Sequence, residues 1–254
     1  MRERTPPGVR LVRADNPSPL TLAGTNTWLA AGWAIDPGPD DPEHLGGVLA
    51  AGPVEGVVLT HSHADHAEGA EPLARLAGGV QVLRPAADGP AGPFEAIATP
   101  GHSADHVCLL LGNVCFSGDT VLGTGSVFIS PGEGSLGAYL DSLRRLRELD
   151  LDAICPGHGP VVWDPRVKLD EYIAHRLERE ERLLAALAEG LRDPDGLLAH
   201  AWSETPPDLR FPAMLTMQAH LAKLAEEGRV PEDLDLGALG VPEQHGAGSG
   251  GSGA

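Results

Sequence analysis

The sequence predicts a layered α/β fold, and three observations favour it. Short apolar runs bounded by Gly, Pro, Asn or Asp alternate with segments of helical periodicity between residues 20 and 160. Four of the apolar runs end directly in polar clusters that contain His or Asp. The 254-residue chain is 42% hydrophobic and 21% charged, which is typical of a globular protein with a sizeable core. Strands interrupted by helices, with polar groups at strand ends, indicate packed layers of sheet and helix.

The first half of the chain is predicted to consist mainly of short strands. The strands are apolar runs bounded by turn residues, and they lie at residues 20–22, 27–30, 33–35, 54–60, 80–83 and 94–98. Two segments with helical spacing separate them, at residues 42–51 and 71–78. Gly24 and Gly32 separate the first three strands, which suggests a meander.

The second half becomes increasingly helical. Strands are predicted at residues 107–111, 114–116 and 151–155, and helices at 136–146, 166–189, 196–202 and 211–227. Ser135 suits the N-cap of the first of these helices. Asp164 and Pro165 suit the N-cap and first position of the second. The last helix carries a stripe that is predicted to be core, formed by Met214, Met217, Leu221 and Leu224.

The segment Thr60-His61-Ser62-His63-Ala64-Asp65-His66 is the most informative stretch of the chain. It places three imidazoles and a carboxylate within six residues, directly after the apolar run Val57-Val58-Leu59. Neutral imidazole and carboxylate suit zinc or a similar divalent ion. A metal site at the end of a strand is therefore the leading interpretation.

Three further polar clusters follow apolar runs in the same way. They contain His102 in residues 99–103, Asp119 in residues 117–120 and His158 in residues 156–160. Each cluster alone is more often a plain loop than a ligand. Their order after the histidine-rich segment makes them mutually supporting, and together they predict one shared cleft.

As a set, these motifs closely resemble those of the metallo-β-lactamase superfamily. The matching elements also include Thr-Asn-Thr-Trp at residues 25–28 and Ile-Asp-Pro-Gly at residues 35–38. The finer resemblance is to the branch that contains β-lactamase-like protein 2. It implies an αββα sandwich in residues 1–164 and a small helical, winged-helix-like domain in residues 165–240. Residues 241–254 are Gly/Ser-rich and are expected to form a disordered tail.

The resemblance also implies a set of seven metal ligands. His61, His63 and His102 would hold one ion, and Asp65, His66 and His158 would hold a second, while Asp119 would bridge the two. Two zinc ions per chain are expected, with Mn²⁺ or Fe²⁺ as alternatives. The presence of both His66 and Asp119 favours two metals over the single iron of the related persulfide dioxygenases.

The implied activity is hydrolysis, with a metal-bridging hydroxide attacking an ester or thioester of a small molecule. Asp65 would be the catalytic residue, because it would orient the nucleophile besides binding metal. Three alternatives stay open: a single-strand-selective endoribonuclease, a glyoxalase II-type hydroxyacylglutathione hydrolase, and a partner-binding module stabilised by metal. The last is disfavoured because structural zinc sites are usually closed and rich in thiolate.

Charge bears on the choice of substrate. The net charge of −18 disfavours RNA, which is bound by basic surface. Residues 193–240 contain nine acidic residues against Arg210, Lys223 and Arg229, so neither a glutathione clamp nor a basic winged helix is evident. The sequence has no apolar run long enough to cross a membrane and no recognisable export signal, so the cytoplasm is the expected location. It does not indicate the oligomeric state.

Several further histidine, aspartate and cysteine residues lie outside the implied ligand set. Asp36 and His106 could either support the metal ligands or serve a structural purpose. Cys155 is predicted to be a small buried hydrophobe rather than a ligand. The remaining histidines are expected to be solvated and are His44, His175, His200, His220 and His245.

Overall fold

The computed structural model describes residues 3–242 and contains two five-stranded sheets. The first sheet has the order β1-β2-β3-β4-β5, with strands Arg10–Arg13, Asn26–Ala30, Trp33–Ile35, Gly56–Val58 and Gln81–Leu83. The second has the order β10-β9-β8-β7-β6, with strands Gly89–Ala91 (β6), Phe94–Ala98 (β7), Val107–Leu111 (β8), Val114–Gly118 (β9) and Ala153–Pro156 (β10). Strands β3, β4 and β5 are parallel, as are β9 and β10, so the strand ends that precede the polar clusters can meet.

Seven α-helices accompany the sheets in residues 3–242. They are α1 Pro42–Ala51, α2 Ala64–Ala67, α3 Ala70–Leu76, α4 Leu136–Arg147, α5 Pro165–Ala188, α6 Pro194–Ala201 and α7 Arg210–Glu226. Side-chain caps start several of them. The carboxylate of Asp41 accepts from the N–H of Glu43 at 2.9 Å, and that of Asp164 accepts from the N–H of Val167 at 3.3 Å. None of these helices is both long enough and apolar enough to cross a membrane.

Successive side chains along each strand face opposite sides of the sheet, so each sheet has two faces to bury. Trp28 and Ile35 of the first sheet pack against Phe94, Leu109 and Phe116 of the second in one buried cluster. The opposite face of the first sheet is covered by α1 and α3, and that of the second by α4 and α5. The layers therefore run helix, sheet, sheet, helix, and the predicted αββα architecture is confirmed. Cys155 is buried between the sheets, as expected.

The C-terminal helices form a separate apolar cluster. Met217, Leu221 and Leu224 of α7 are buried there against Leu183 and Leu187 of α5, and Met214 is half-buried against the same cluster, so the predicted core stripe is confirmed. We propose residues 165–240 as a helical unit of its own. No strand follows β10 in the described part of the chain, and the likeness to a winged helix is not confirmed. Of the predicted tail, residues 243–254 lie outside the described residues.

The strand predicted at residues 20–22 is wrong. This stretch is a turn closed by an isolated bridge between Ser18 and Leu22. The hydroxyl of Ser18 accepts from the backbone N–H groups of Leu20 and Thr21, which takes them away from any strand partner. Strands β1 and β6 and the helix α2 were not predicted. Strand β6 is Gly89-Pro90-Ala91, a composition typical of a turn, and α2 is a single turn of four residues.

The expectation that His44 and His220 are solvated is also wrong, because both are buried. His220 is 0% exposed, and neither ring nitrogen has a hydrogen-bond partner among residues 3–242. Burial lowers its pKa well below the usual value, and the positive charge of Arg176 adds to this effect. His220 is therefore a neutral imidazole in the apolar cluster, with its ring centroid 5.5 Å from that of Trp202.

Replacing His220 with leucine is expected to stabilise the fold by about 1–3 kcal/mol, because two unsatisfied polar atoms leave the core. The difference in stability between His220→Leu and wild type should grow at acidic pH. Since the unfolded chain binds a proton near pH 6.5 and the folded chain does not, wild type loses a further ~1.4 kcal/mol on going from pH 7.5 to 5.5. Urea unfolding at pH 7.5 and 5.5 measures both effects. The exposed His200→Leu serves as the control, and a pH-independent difference between His220→Leu and wild type would contradict the assignment.

Candidate metal centre

The seven predicted ligands lie together at one edge of the sandwich. They sit on loops after β4, β7, β9 and β10 and on the short helix α2. Two glycines allow this close approach. Gly118 adopts a φ of 45°, and a Cβ there would lie 2.3 Å from Oγ1 of Thr60. A Cβ on Gly157 would lie 2.6 Å from Oδ1 of Asp119, so a side chain at either position would push the loops apart.

The first group of ligands consists of three imidazoles. Nε2 of His61 lies 3.1 Å from Nδ1 of His63, and Nε2 of His102 lies 3.0 Å from the same atom. The three nitrogens can all face one small space. Burial lowers the pKa of both His61 and His102, so these rings are neutral and their lone pairs are available to a metal.

The second group consists of two imidazoles and a carboxylate. Nε2 of His66 lies 3.2 Å from Nε2 of His158. Oδ2 of Asp65 lies 3.5 Å from the first nitrogen and 3.3 Å from the second. Asp65 is the least buried of the three, with 33% of its side chain exposed. It can therefore face both an ion and the solvent beside it.

Asp119 lies between the two groups. Its Oδ1 is 3.4 Å from Nε2 of His66 and 3.5 Å from Nε2 of His158, while its Oδ2 is 3.7 Å from Nε2 of His102. Oδ1 is buried and finds no hydrogen-bond partner in the described structure. Burial would favour the neutral acid, but His158 and His66 hold its pKa well below the usual value. An orphaned, buried carboxylate oxygen aimed at two imidazoles fits a divalent cation.

The outer ring nitrogens of four histidines face oxygen atoms, which orients the rings. Nδ1 of His66 lies 2.9 Å from Oδ2 of Asp36, and Nδ1 of His102 lies 3.0 Å from the carbonyl oxygen of Phe128. Nδ1 of His61 lies 3.0 Å from Oγ1 of Thr60, and that of His158 lies 3.4 Å from the carbonyl oxygen of Gly24. If each Nδ1 carries the proton, each Nε2 is free to bind an ion.

The position of Asp36 bears on the role that the sequence left open. Its carboxylate accepts from the N–H of Thr60 at 2.8 Å and from Oγ1 of Thr60 at 2.7 Å, besides facing His66. It is close enough to His61 and His66 to form a third candidate ligand group. Since its oxygens are already engaged by three donors, it is better placed to orient His66 than to bind an ion.

Replacing Asp36 with asparagine is expected to weaken metal binding by about 10- to 100-fold, because His66 loses its charged partner. Competition with a metallochromic chelator measures the affinity of each ion. The exposed Asp40→Asn, four residues along the chain, is the matched control. Unchanged affinities for both ions in Asp36→Asn would contradict an orienting role.

His106 supports the backbone of Asp119. Burial, together with the charge of His102, lowers its pKa to about 3, so the ring is neutral. Its Nε2 accepts from the N–H of Asp119 at 3.1 Å, while Nδ1 lies 3.0 Å from Oγ1 of Thr99 and 3.2 Å from Oγ1 of Thr120. These contacts fit a residue that positions its neighbour rather than a ligand.

The Thr-Asn-Thr-Trp motif fastens the loop of His158, a role that the sequence did not reveal. The amide of Asn26 donates to the carbonyl oxygens of Pro156 at 3.0 Å and Gly159 at 2.8 Å. The indole N–H of Trp28 also donates to the Pro156 oxygen at 2.9 Å. The first sheet thereby holds a loop that extends from the second.

A cavity of about 590 Å³ opens onto the candidate metal centre. His63, Asp65, His102, Asp119 and His158 line one side. The other side comes from the C-terminal helices, a turn near the N-terminus and the loop after β9, and includes Leu20, Leu22, Val127, Arg176, Trp202 and Leu209. The sequence did not identify this second wall, because its residues look like ordinary helix and loop positions. The volume of the cavity and its largely apolar lining are typical of sites for small molecules.

Comparison with known proteins gives consistent matches. The family model described as the metallo-beta-lactamase superfamily matches residues 35–95 and 82–158. A beta-lactamase-like protein 2 homolog from Caenorhabditis elegans is 32% identical over 263 residues, covering 90% of this chain and 88% of the relative. An atrochrysone carboxyl ACP thioesterase from Aspergillus chevalieri is 31% identical over 270 residues, covering 92% and 86% respectively. The crystal structure of a beta-lactamase domain protein from Burkholderia ambifaria shares the fold, with a TM-score of 0.74 at 23% identity and coverage of 89% and 88%.

Proposed function

Since this chain belongs to the metallo-β-lactamase superfamily and its β-lactamase-like protein 2 branch, and is a metal-dependent hydrolase, we propose that it hydrolyses thioesters or esters of small molecules with two zinc ions. The observation that carries this proposal is the pair of three-ligand groups joined by Asp119. Each group has three protein ligands and a shared carboxylate, with a cavity on the open side. An open coordination position is typical of catalytic rather than structural zinc.

In the proposed site, His61, His63 and His102 would hold one ion, Asp65, His66 and His158 would hold the other, and Asp119 would contribute a carboxylate to both. When bound, such ions supply an activated water and polarise an acyl oxygen. The protein's own contribution is to fix the ligands rigidly. Four of the five imidazoles have their outer nitrogens against oxygen atoms, so little reorganisation is needed during the reaction.

Asp65 is proposed as the residue that orients the attacking water. Burial raises its pKa, but the hydrogen bond with His158 and the charge of His66 outweigh this, so the pKa lies below its usual value. The side chain is therefore an anion at neutral pH. Because it is also partly exposed on the cavity wall, it can accept a hydrogen bond from a water molecule there.

The thioester class is supported by a relative and by the shape of the cavity. The Aspergillus chevalieri relative is named as a thioesterase acting on an acyl carrier protein substrate. Apolar residues such as Leu20, Leu22 and Val127 line the cavity, and they suit an acyl chain. Of the three cations of residues 193–240, Arg210 pairs with Asp195, and Lys223 and Arg229 pair with Glu180. Paired cations offer little to an RNA backbone.

A hydrolysis screen of the zinc-loaded protein tests the proposal. The panel contains acyl thioesters, lactones, a β-lactam and single-stranded RNA, and kcat/KM is measured for each. We expect the highest value for a thioester or an ester. Cleavage of RNA alone would favour a nuclease, and metal binding without any hydrolysis would favour a partner-binding module. Either result would contradict the proposed function.

A further inference from the structure

The helical wall of the cavity contains a buried positive charge. Arg176 of α5 lines the cavity and is only 2% exposed. Its guanidinium donates a hydrogen bond to the carbonyl oxygen of Val127 and lies 5.3 Å from the ring centroid of Tyr139. Its Nε is buried and has no hydrogen-bond partner within residues 3–242. A buried guanidinium that contacts neutral groups is unfavourable unless an anion joins it.

The neighbouring groups do not cancel this charge. Arg179, one turn along α5, forms an ion pair with Glu204 at 2.5 Å, so those two charges offset each other. His175 also lines the cavity, and burial together with Arg176 lowers its pKa to about 4. His220 is neutral for the same reason. This wall therefore has the net charge of one guanidinium.

Arg176 and the candidate ligand His102 both contact the same short segment, Val127-Phe128. Val127 accepts the hydrogen bond from Arg176, and the carbonyl oxygen of the next residue, Phe128, lies 3.0 Å from Nδ1 of His102. Both Arg176 and His102 line the one cavity. A substrate long enough to span the cavity can therefore place its acyl carbon at the metal centre and another part of the molecule at Arg176.

We propose that Arg176 binds an anionic group of the substrate, a carboxylate or a phosphate, while the scissile acyl carbon lies at the metal centre. The inference rests on the proposed hydrolase function and assigns it a specificity-determining residue. A guanidinium offers paired N–H donors that match the oxygens of either anion. The anion supplies the missing countercharge, whereas a neutral substrate leaves the guanidinium desolvated without one. Such a site discriminates strongly against substrates that lack the matching group.

The first experiment uses the wild-type, zinc-loaded protein and two matched pairs of thioesters. One pair differs only at the end of the acyl chain, as carboxylate or carboxamide, on an uncharged thiol. The other pair has a neutral acyl chain on a thiol with or without a phosphate. We expect kcat/KM to favour the anionic member of one pair by about 10- to 100-fold. The pair that responds identifies the part of the substrate that carries the anion.

Variants separate recognition from a structural role. In Arg176→Gln, kcat/KM for the anionic substrate of the responding pair is expected to fall to within about twofold of that for the neutral substrate. Arg176→Lys keeps the charge and should keep part of the preference. The exposed Arg166→Gln on the same helix is the control and should keep the wild-type ratio. If Arg176 had a purely structural role, the variant would lower kcat/KM for both members of the pair in proportion and leave their ratio unchanged. Circular dichroism verifies that each variant is folded.

Equal kcat/KM values within both pairs, with the thioesters hydrolysed, would overturn the anion subsite and leave the hydrolase proposal intact. A preference that Arg176→Gln retains in full would overturn it as well. If wild type hydrolysed none of the thioesters or esters, the proposed function would fail first, and this inference would fail with it.

Discussion

Replacing Asp119 with alanine is expected to remove metal from both halves of the centre and to lower kcat/KM by about 10³-fold or more. Its two oxygens face different ligand groups, with Oδ1 3.4 Å from His66 and Oδ2 3.7 Å from His102. Asp36 also approaches one ligand of each group, His61 and His66, but its oxygens are already engaged by Thr60 and His66. Loss of bound metal removes several kcal/mol of transition-state stabilisation, which corresponds to this change in rate.

Metal content per chain after gel filtration and kcat/KM on the best substrate of the screen measure this outcome. Asp40→Ala is a suitable control, because Asp40 is exposed and follows Asp36 by only four residues. It should retain the wild-type metal content and activity. Two metals per chain in Asp119→Ala would refute the bridging role.

Replacing Asp65 with asparagine is expected to lower kcat by about 10²- to 10⁴-fold, the usual contribution of a positioned acid or base. Asparagine preserves the shape of the side chain and removes its negative charge. The remaining ligands His66 and His158 still lie 3.2 Å apart, so the loss of metal should be partial. The effect should therefore fall mainly on kcat at saturating zinc rather than on KM.

Steady-state kinetics at a series of zinc concentrations separates the lost metal from the lost chemistry. Glu68→Gln provides the control, because Glu68 is an exposed carboxylate at the end of the same short helix. Its kcat should equal that of wild type. Full activity of Asp65→Asn at saturating zinc would exclude Asp65 as the orienting residue.

The parts of the fold that were predictable from the sequence are those with strong local signals. Helix α1 was predicted with its observed bounds from its helical spacing, and in the structure Asp41 caps it and Pro42 begins it. Strands β3, β7 and β8 also match, since each is an apolar run with clear breaks on both sides. The convergence of the polar clusters followed from their common position after strands, and the structure brings all seven side chains together.

Features that depend on tertiary packing were not predictable. A histidine on a helix gives no signal that distinguishes the buried His220 from the exposed His200. The same is true of Arg176, whose position in α5 predicts a solvated charge although it lines the cavity. Strand β1 escaped notice because its apolar pair is flanked by Arg10 and Arg13, which resembles a polar loop. In each case the neighbours that decide the environment come from distant parts of the chain.

The contacts between the first sheet and the loop of His158 have a consequence for the order of folding. Nε2 atoms of His66 and His158 meet across 92 residues, and Asn26 reaches Pro156 across 130. Closing such long loops is slow relative to local helix formation. During synthesis, the three imidazoles of the first group are all present once residue 102 has emerged, whereas the second group requires His158, which follows β10. The two ligand groups are therefore expected to be completed at different times, although they share one carboxylate.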